Sequence, residues 1–280
     1  MKTKCYYHFP WTIDLENLLK SYNVDYEKIE WKPVEGSVVS YPDTLKFTIF
    51  KEDEKYVEIQ SILPLPNVCW LEFSEKELKE ATWLYMRSTN MKIDIENNSV
   101  DWFCPNNKSS NEKSMFHMTQ TMPFEIKPVK WTNNNHFYSS YICGYDVIFC
   151  DDYAMNAIKR NNLIGADFAD VMWYKKNQVI PNVHQIKCFN ILPTEAFLFD
   201  ENCKPQKCPT CDKIKYEINQ EFRIKIKREY LDDNLDFYST TDVFSMGDVS
   251  SYTIVSNRVY SALKKENLVR NLKFEPVILI

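Results

Sequence analysis

The sequence predicts an α+β fold: mixed and antiparallel sheets with few short helices, and two similar strand–capped helix–strand modules in the C-terminal half. Three observations predict it. Residues 1–135 are dominated by short β-branched and aromatic runs bounded by polar turns. Helical spacing is confined to brief segments opened by capping residues. Glycine is scarce, with only Gly36, Gly144, Gly165 and Gly247 in 280 residues, too far apart to write a dinucleotide fingerprint, a phosphate loop or a nucleophile elbow. Those enzyme classes are excluded in their usual form, and asparagine is left to fill turns that need left-handed backbone. A composition of 44% hydrophobic residues suffices for a packed core. The chain divides by pattern into a mainly β region, 1–135, and an α/β region, 136–280.

In chain order, Leu45–Phe50 and Tyr56–Leu63 flank the charged run Lys51-Glu-Asp-Glu-Lys55 and predict a hairpin. Ser74-Glu-Lys-Glu77 is a capping-box pattern, opening a helix with Leu78, Ala81, Thr82 and Tyr85 on one side. Residues 104–114 and Thr132-Asn-Asn-Asn-His136 read as polar loops.

The second half carries an internal duplication, about 146–174 and 251–280, at an offset of 105 (263 − 158). Ala157/Ala262, Lys159/Lys264, Asn162/Asn267 and Leu163/Leu268 coincide. In each copy a strand runs into a capping residue, Asp151 or Ser256. A helix follows with apolar positions 154, 157, 158 or 259, 262, 263. Phe274–Ile280 predicts a closing strand buried on both faces. Between the copies, Arg223-Ile-Lys-Ile-Lys-Arg-Glu229 alternates as a strand with a solvated basic face.

Cys203-Lys-Pro-Gln-Lys-Cys208-Pro-Thr-Cys211 is the metal-like constellation. Cys208 and Cys211 can point at one tetrahedral ion, Cys203 can be a third ligand, and Cys188 or His184 can complete the set. A surface loop with reduced, unligated cysteines is the alternative, so the cofactor is either none or one structural zinc. His8, His117, His136 and His184 read as structural or surface residues. Asp151-Asp152 and Asp232-Asp233 read as a helix cap and a turn, and no catalytic residue emerges.

Nine cysteines, an odd number and mostly isolated in apolar stretches, suit a reducing compartment. No run approaches the ~18–20 apolar residues of a membrane span, and Asp14 and Glu16 interrupt any signal-like start. The expectation is a cytoplasmic protein that meets no membrane. A net charge of −5 argues against nucleic acid as partner and favours a basic one.

The run Asp242-Val-Phe244, Tyr252-Thr-Ile-Val-Ser256, Ala262-Leu263, Glu266-Asn-Leu268 and Phe274-Glu-Pro-Val277 resembles the end of the double-CxxCG family of bacterial polymorphic-toxin immunity proteins. Cys208-Pro-Thr-Cys211 matches the cysteine knuckle those proteins carry upstream. The likeness covers the chain from about residue 140 to its end; there is one C-x-x-C rather than two, and Asp212 stands where the family has glycine. The resemblance implies a cytoplasmic antitoxin that occludes a cognate protein toxin, and it carries over no catalytic residue; the alternatives are a zinc-knuckle module that binds nucleic acid, or an enzyme whose active-site residues are spread along the chain. Abundant Tyr, Trp and Phe suit such an interface, with Asp232, Asp233 and Asp236, or the 104–114 loop, as the expected contact.

Overall fold

The computed structural model describes residues 1–32, 41–90, 92–95, 100–101, 119–127, 129, 131, 134–140, 147–199, 201, 203–208, 210–211, 214–217, 222–240, 244–245 and 251–280. The 104–114 loop, His117, Cys143, Asp212, Asp242 and part of the 132–136 turn lie outside these residues. The chain forms two compact units, Met1–Ser74 and Glu75–Ile280; the sequence reading divided it by composition at 135/136.

The first unit runs β1 (Lys2–Pro10), α1 (Ile13–Ser21), β2 (Tyr26–Ile29), β3 (Thr44–Phe50), α2 (Glu54–Ile62) and β4 (Val68–Glu72). Its sheet has the order β2-β3-β1-β4 and is antiparallel throughout. Strict alternation along β1 turns Thr3, Cys5 and Tyr7 inward. There Cys5 and Tyr7 pack with Leu15, Leu19, Leu45, Phe47, Ile49, Ile59 and Cys69. The expected hairpin is not formed: Leu45–Phe50 is β3, but Tyr56–Leu63 is mostly helix α2. Asp53 caps that helix, accepting from Lys55 N, and Tyr56, Ile59 and Leu63 meet the core at helical rather than alternating spacing.

The second unit opens with α3 (Glu75–Glu80), β5 (Trp83–Ser88), β6 (Val100–Asp101), β7 (Thr119–Gln120), β8 (Glu125–Ile126) and β9 (Phe137–Tyr138). It continues through β10 (Phe149–Asp151), α4 (Asp152–Arg160), β11 (Ala166–Trp173), β12 (Val179–Cys188), β13 (Ile191–Leu192), β14 (Lys204–Lys207) and β15 (Ile214–Glu217). It closes with β16 (Lys225–Ile226), β17 (Phe237–Thr240), β18 (Phe244–Ser245), β19 (Thr253–Ser256), α5 (Asn257–Lys265), β20 (Leu272–Pro276) and β21 (Ile278–Leu279). Two five-stranded sheets, β8-β11-β12-β10-β9 and β13-β17-β19-β5-β20, carry the architecture. Each is mixed, parallel only where β8 meets β11 and β13 meets β17.

Both sheets are covered on two faces. Along β5, Leu84 and Met86 join a core shared with α4 and α5, whereas Trp83 and Tyr85 face a separate cluster with Tyr238 and Ile254. Along β9 and β10, Phe137, Ile148 and Cys150 face the helices, while Tyr138, Val147 and Phe149 face a third cluster. Double burial explains why these strands read as continuous apolar runs. It also ends the helix expected to reach Tyr85: α3 stops at Glu80, and the chain extends at Trp83 into a central strand between β19 and β20. The expected closing strand is instead two short ones, β20 beside β5 and β21 parallel to β16. Only Phe274 and Val277 of 274–280 are buried, so the segment lies on a sheet edge rather than inside.

Helices α4 and α5 pack against each other and end alike. After α4, Asn162 N donates to Lys159 O and Leu163 N to Ile158 O; after α5, Asn267 N donates to Lys264 O and Leu268 N to Leu263 O. This is the Schellman turn, with Asn in the left-handed position at φ 50° and 60°. Its hydrophobic clasp is Leu163 with Ile158, and Leu268 with Leu263, all in one core. Helix α1 repeats the pattern unannounced. Thr12 caps it, Asn23 (φ 51°) donates to Lys20 O, and Val24 N donates to Leu19 O. In all three, asparagine stands eleven residues after the cap: 12/23, 151/162, 256/267.

Candidate functional site

The residues expected to meet a partner divide into two kinds. Asp232 and Asp233 are exposed at the tip of an acidic turn. Asp232 Oδ1 accepts from Asn234 N and Nδ2 at 2.9 and 2.8 Å, and Asp233 pairs with Arg228. Asp236 is fully buried, which withdraws it from any contact surface. Its Oδ1 accepts from Ser256 Oγ at 2.5 Å, and its Oδ2 accepts from Ile164 N at 2.9 Å and faces Arg258 Nη1 at 3.3 Å. Asp236 therefore ties the turn leaving α4 to the residue that opens α5. Ser256 makes no side-chain cap; its hydroxyl is turned to Asp236 instead.

The same backbone carries apolar side chains outward. Phe189 N donates to Gly165 O, Ser239 N to Asn190 O, and Asp236 N to Ile164 O. On these joined segments Ile164, Phe189 and Ile191 are 53%, 64% and 61% exposed. Gly165 holds them together: its φ is +108°, and a Cβ there would stand 2.6 Å from Phe237 O.

A second feature was not foreseen. His136 Nδ1 lies 2.8 Å from Asp151 Oδ2, whose other oxygen caps α4 through Ala154 N at 2.9 Å. The adjacent Asp152 meets His184 Nε2 at 2.7 Å. Trp131, Asn134, His136, Asp151, Tyr153, Glu266, Asn267 and Arg270 line a cleft of about 600 Å³. Tyr153 supplies the only hydroxyl among the described lining residues. The sequence cue was slight: β9 and β10 pair Cys150 with Phe137, and one further step of that register sets Asp151 beside His136.

The expected cysteine ligands fall on different elements. Cys203 and Cys208 flank β14 and Cys211 sits in the turn towards β15, but Cys188 ends β12 inside the helix core. Burial pushes the Cys188 thiol up to about 12. The intended fourth alternative, His184, is held by Asp152. Three steps of extended chain along β14 already separate its ends by about 10 Å. Among the described residues no three His, Cys, Asp or Glu side chains form a metal-binding group. The set Cys203, Cys208, Cys211 and Cys188 is thus not grouped among the described residues. Among the described residues no helix is long and apolar enough to cross a membrane. No protein-family model matches this sequence, and no curated protein matches it.

Proposed function

We propose that this chain is an immunity protein, which binds a cognate bacterial toxin and neutralises it by occlusion without transforming a substrate. The observation that carries the reading is the surface around Gly165. Ile164, Phe189 and Ile191 stand exposed on backbone hydrogen-bonded to the segment leading from the Asp232-Asp233 turn. An apolar centre beside carboxylates suits a partner presenting apolar and basic side chains, and a net charge of −5 steers such a partner in. The resemblance of residues 252–277 to immunity proteins supports the same reading. In it, β10-α4-β11 and β19-α5-β20 are two copies of one module, which Asp236 joins into a rigid support for that surface.

Co-expression with the toxin encoded beside it tests the proposal. Cells are expected to survive, and survival no better than with an empty vector overturns it. Phe189→Ala combined with Asp232→Lys should weaken the purified complex by about 2 kcal/mol, roughly thirtyfold.

The His136–Asp151 pair in its cleft favours a second reading, an enzyme. Turnover of a small molecule that His136→Ala abolishes, with toxin protection unchanged, would establish it beside the first. The alternative of a zinc-knuckle nucleic-acid module rests on a ligand set that the described residues do not assemble.

A further inference from the structure

Cys5 on β1 and Cys69 on β4 are direct partners across an antiparallel ladder. Opposed residues in such a ladder have Cα atoms about 4.5–5.5 Å apart, inside the ~4.4–6.8 Å that a disulfide spans. Opposed side chains share a face, and here both enter the core of the first unit beside Tyr7, Phe47 and Ile59. The two Sγ atoms are 3.1 Å apart. Cys5 is fully buried, whereas Cys69, at 7% exposure, sits on the strand that ends the sheet. Tyr56, on α2, packs against the same core. The pair thus lies within the core but reaches the sheet edge through Cys69.

We propose that Cys5 and Cys69 are a redox modification site, a dithiol that a peroxide converts into a cross-strand disulfide. The Cys69 sulfur attacks one peroxide oxygen as its thiol proton passes to the other; the O–O bond breaks, leaving a sulfenic acid on Cys69 and one water. The Cys5 thiol attacks the Cys69 sulfur as its proton passes to the departing oxygen. The S–O bond breaks, the S–S bond forms and a second water leaves. Two thiols lose two electrons and two protons, and one peroxide becomes two waters. The bond joins the first strand of the unit to its last and closes the chain between residues 5 and 69, which restricts the unfolded ensemble. It stands apart from the toxin-binding reading, whose surface lies in the second unit.

The test uses the full chain, reduced, freed of reductant and titrated with hydrogen peroxide. It is then alkylated in denaturant and mapped by mass spectrometry without reduction. The expected product is a pair of peptides joined through Cys5 and Cys69, two hydrogens lighter than the dithiol. It should appear at doses that leave Cys150 and Cys188, whose thiols burial holds protonated, open to alkylation. The unfolding midpoint should rise on oxidation and return with reductant. Cys5→Ser should leave a sulfenic acid on Cys69 that a cyclic 1,3-dione captures. Recovery of Cys5 and Cys69 as thiols or unlinked sulfinic acids, at doses that oxidise the other cysteines, overturns the proposal. Should Cys5→Ser fail to fold, the wild-type peptide map decides alone.

Discussion

Asp236 and Gly165 show how much of this molecule hangs on single side chains, or on the lack of one. Replacing Asp236 by Ala leaves Ile164 N and Ser256 Oγ without their acceptor in a dry interior. We expect a loss of about 3 kcal/mol by denaturant unfolding, with Asp236→Asn losing less because it keeps an acceptor oxygen. Gly165→Ala must relieve a 2.6 Å contact with backbone and also occupy positive φ. Its expected cost is about 2 kcal/mol, read as a lowered midpoint for the second unit. Glu16 supplies the pH-dependent case. Hydrogen bonds from Lys20, then Trp11 and Tyr26, hold its carboxyl down to about 2. An unfolded glutamate near 4.5 binds a proton sooner, so this contribution is full above that pH and is lost as pH falls towards 2. Stability of the Glu16→Gln variant should therefore fall less steeply than that of the wild type between those limits.

Among the elements, α1, α4 and α5 share one local recipe: a polar cap, apolar residues at the third, sixth and seventh positions after it, and asparagine at the eleventh. The last of these is the sharpest requirement, because only glycine and asparagine take left-handed backbone cheaply. Asn162→Ala and Asn267→Ala should each destabilise by about 1 kcal/mol, and the corresponding Gly variants should be neutral or better; calorimetry of the four variants checks both. The spacing was legible in the sequence for α4 and α5, since Asn162-Leu163 and Asn267-Leu268 match outright. It was hidden in α1, where Tyr22-Asn23-Val24 keeps the asparagine but changes its neighbours. The second strand of the supposed hairpin was misread for a related reason. Tyr56–Leu63 is rich enough in apolar residues to suit either period, and the cap at Asp53 decides it.

At the scale of the whole molecule, each compact unit owns its core. Among the described residues, the cluster around Tyr7 and Phe47 draws on residues before Ser74, and the other three draw on residues after it. A chain beginning at Glu75 should therefore unfold cooperatively in denaturant by itself. A broad, non-cooperative transition would contradict that.

Local chemistry is what the amino-acid sequence determined by itself: where α4 and α5 open and stop, the asparagine turn that ends each, and that the fold mixes α and β. Each of these depends on residues within a dozen positions of one another. The candidate sites depended on tertiary structure, because their partners are remote in sequence. Asp236 looked like a surface acid in an acidic run until its partners, Ile164 and Ser256, arrived 72 and 20 residues away. His136 met Asp151, and Cys5 met Cys69, through strand register alone. Register is set by the burial of whole sheets, a property that belongs to no single stretch of chain.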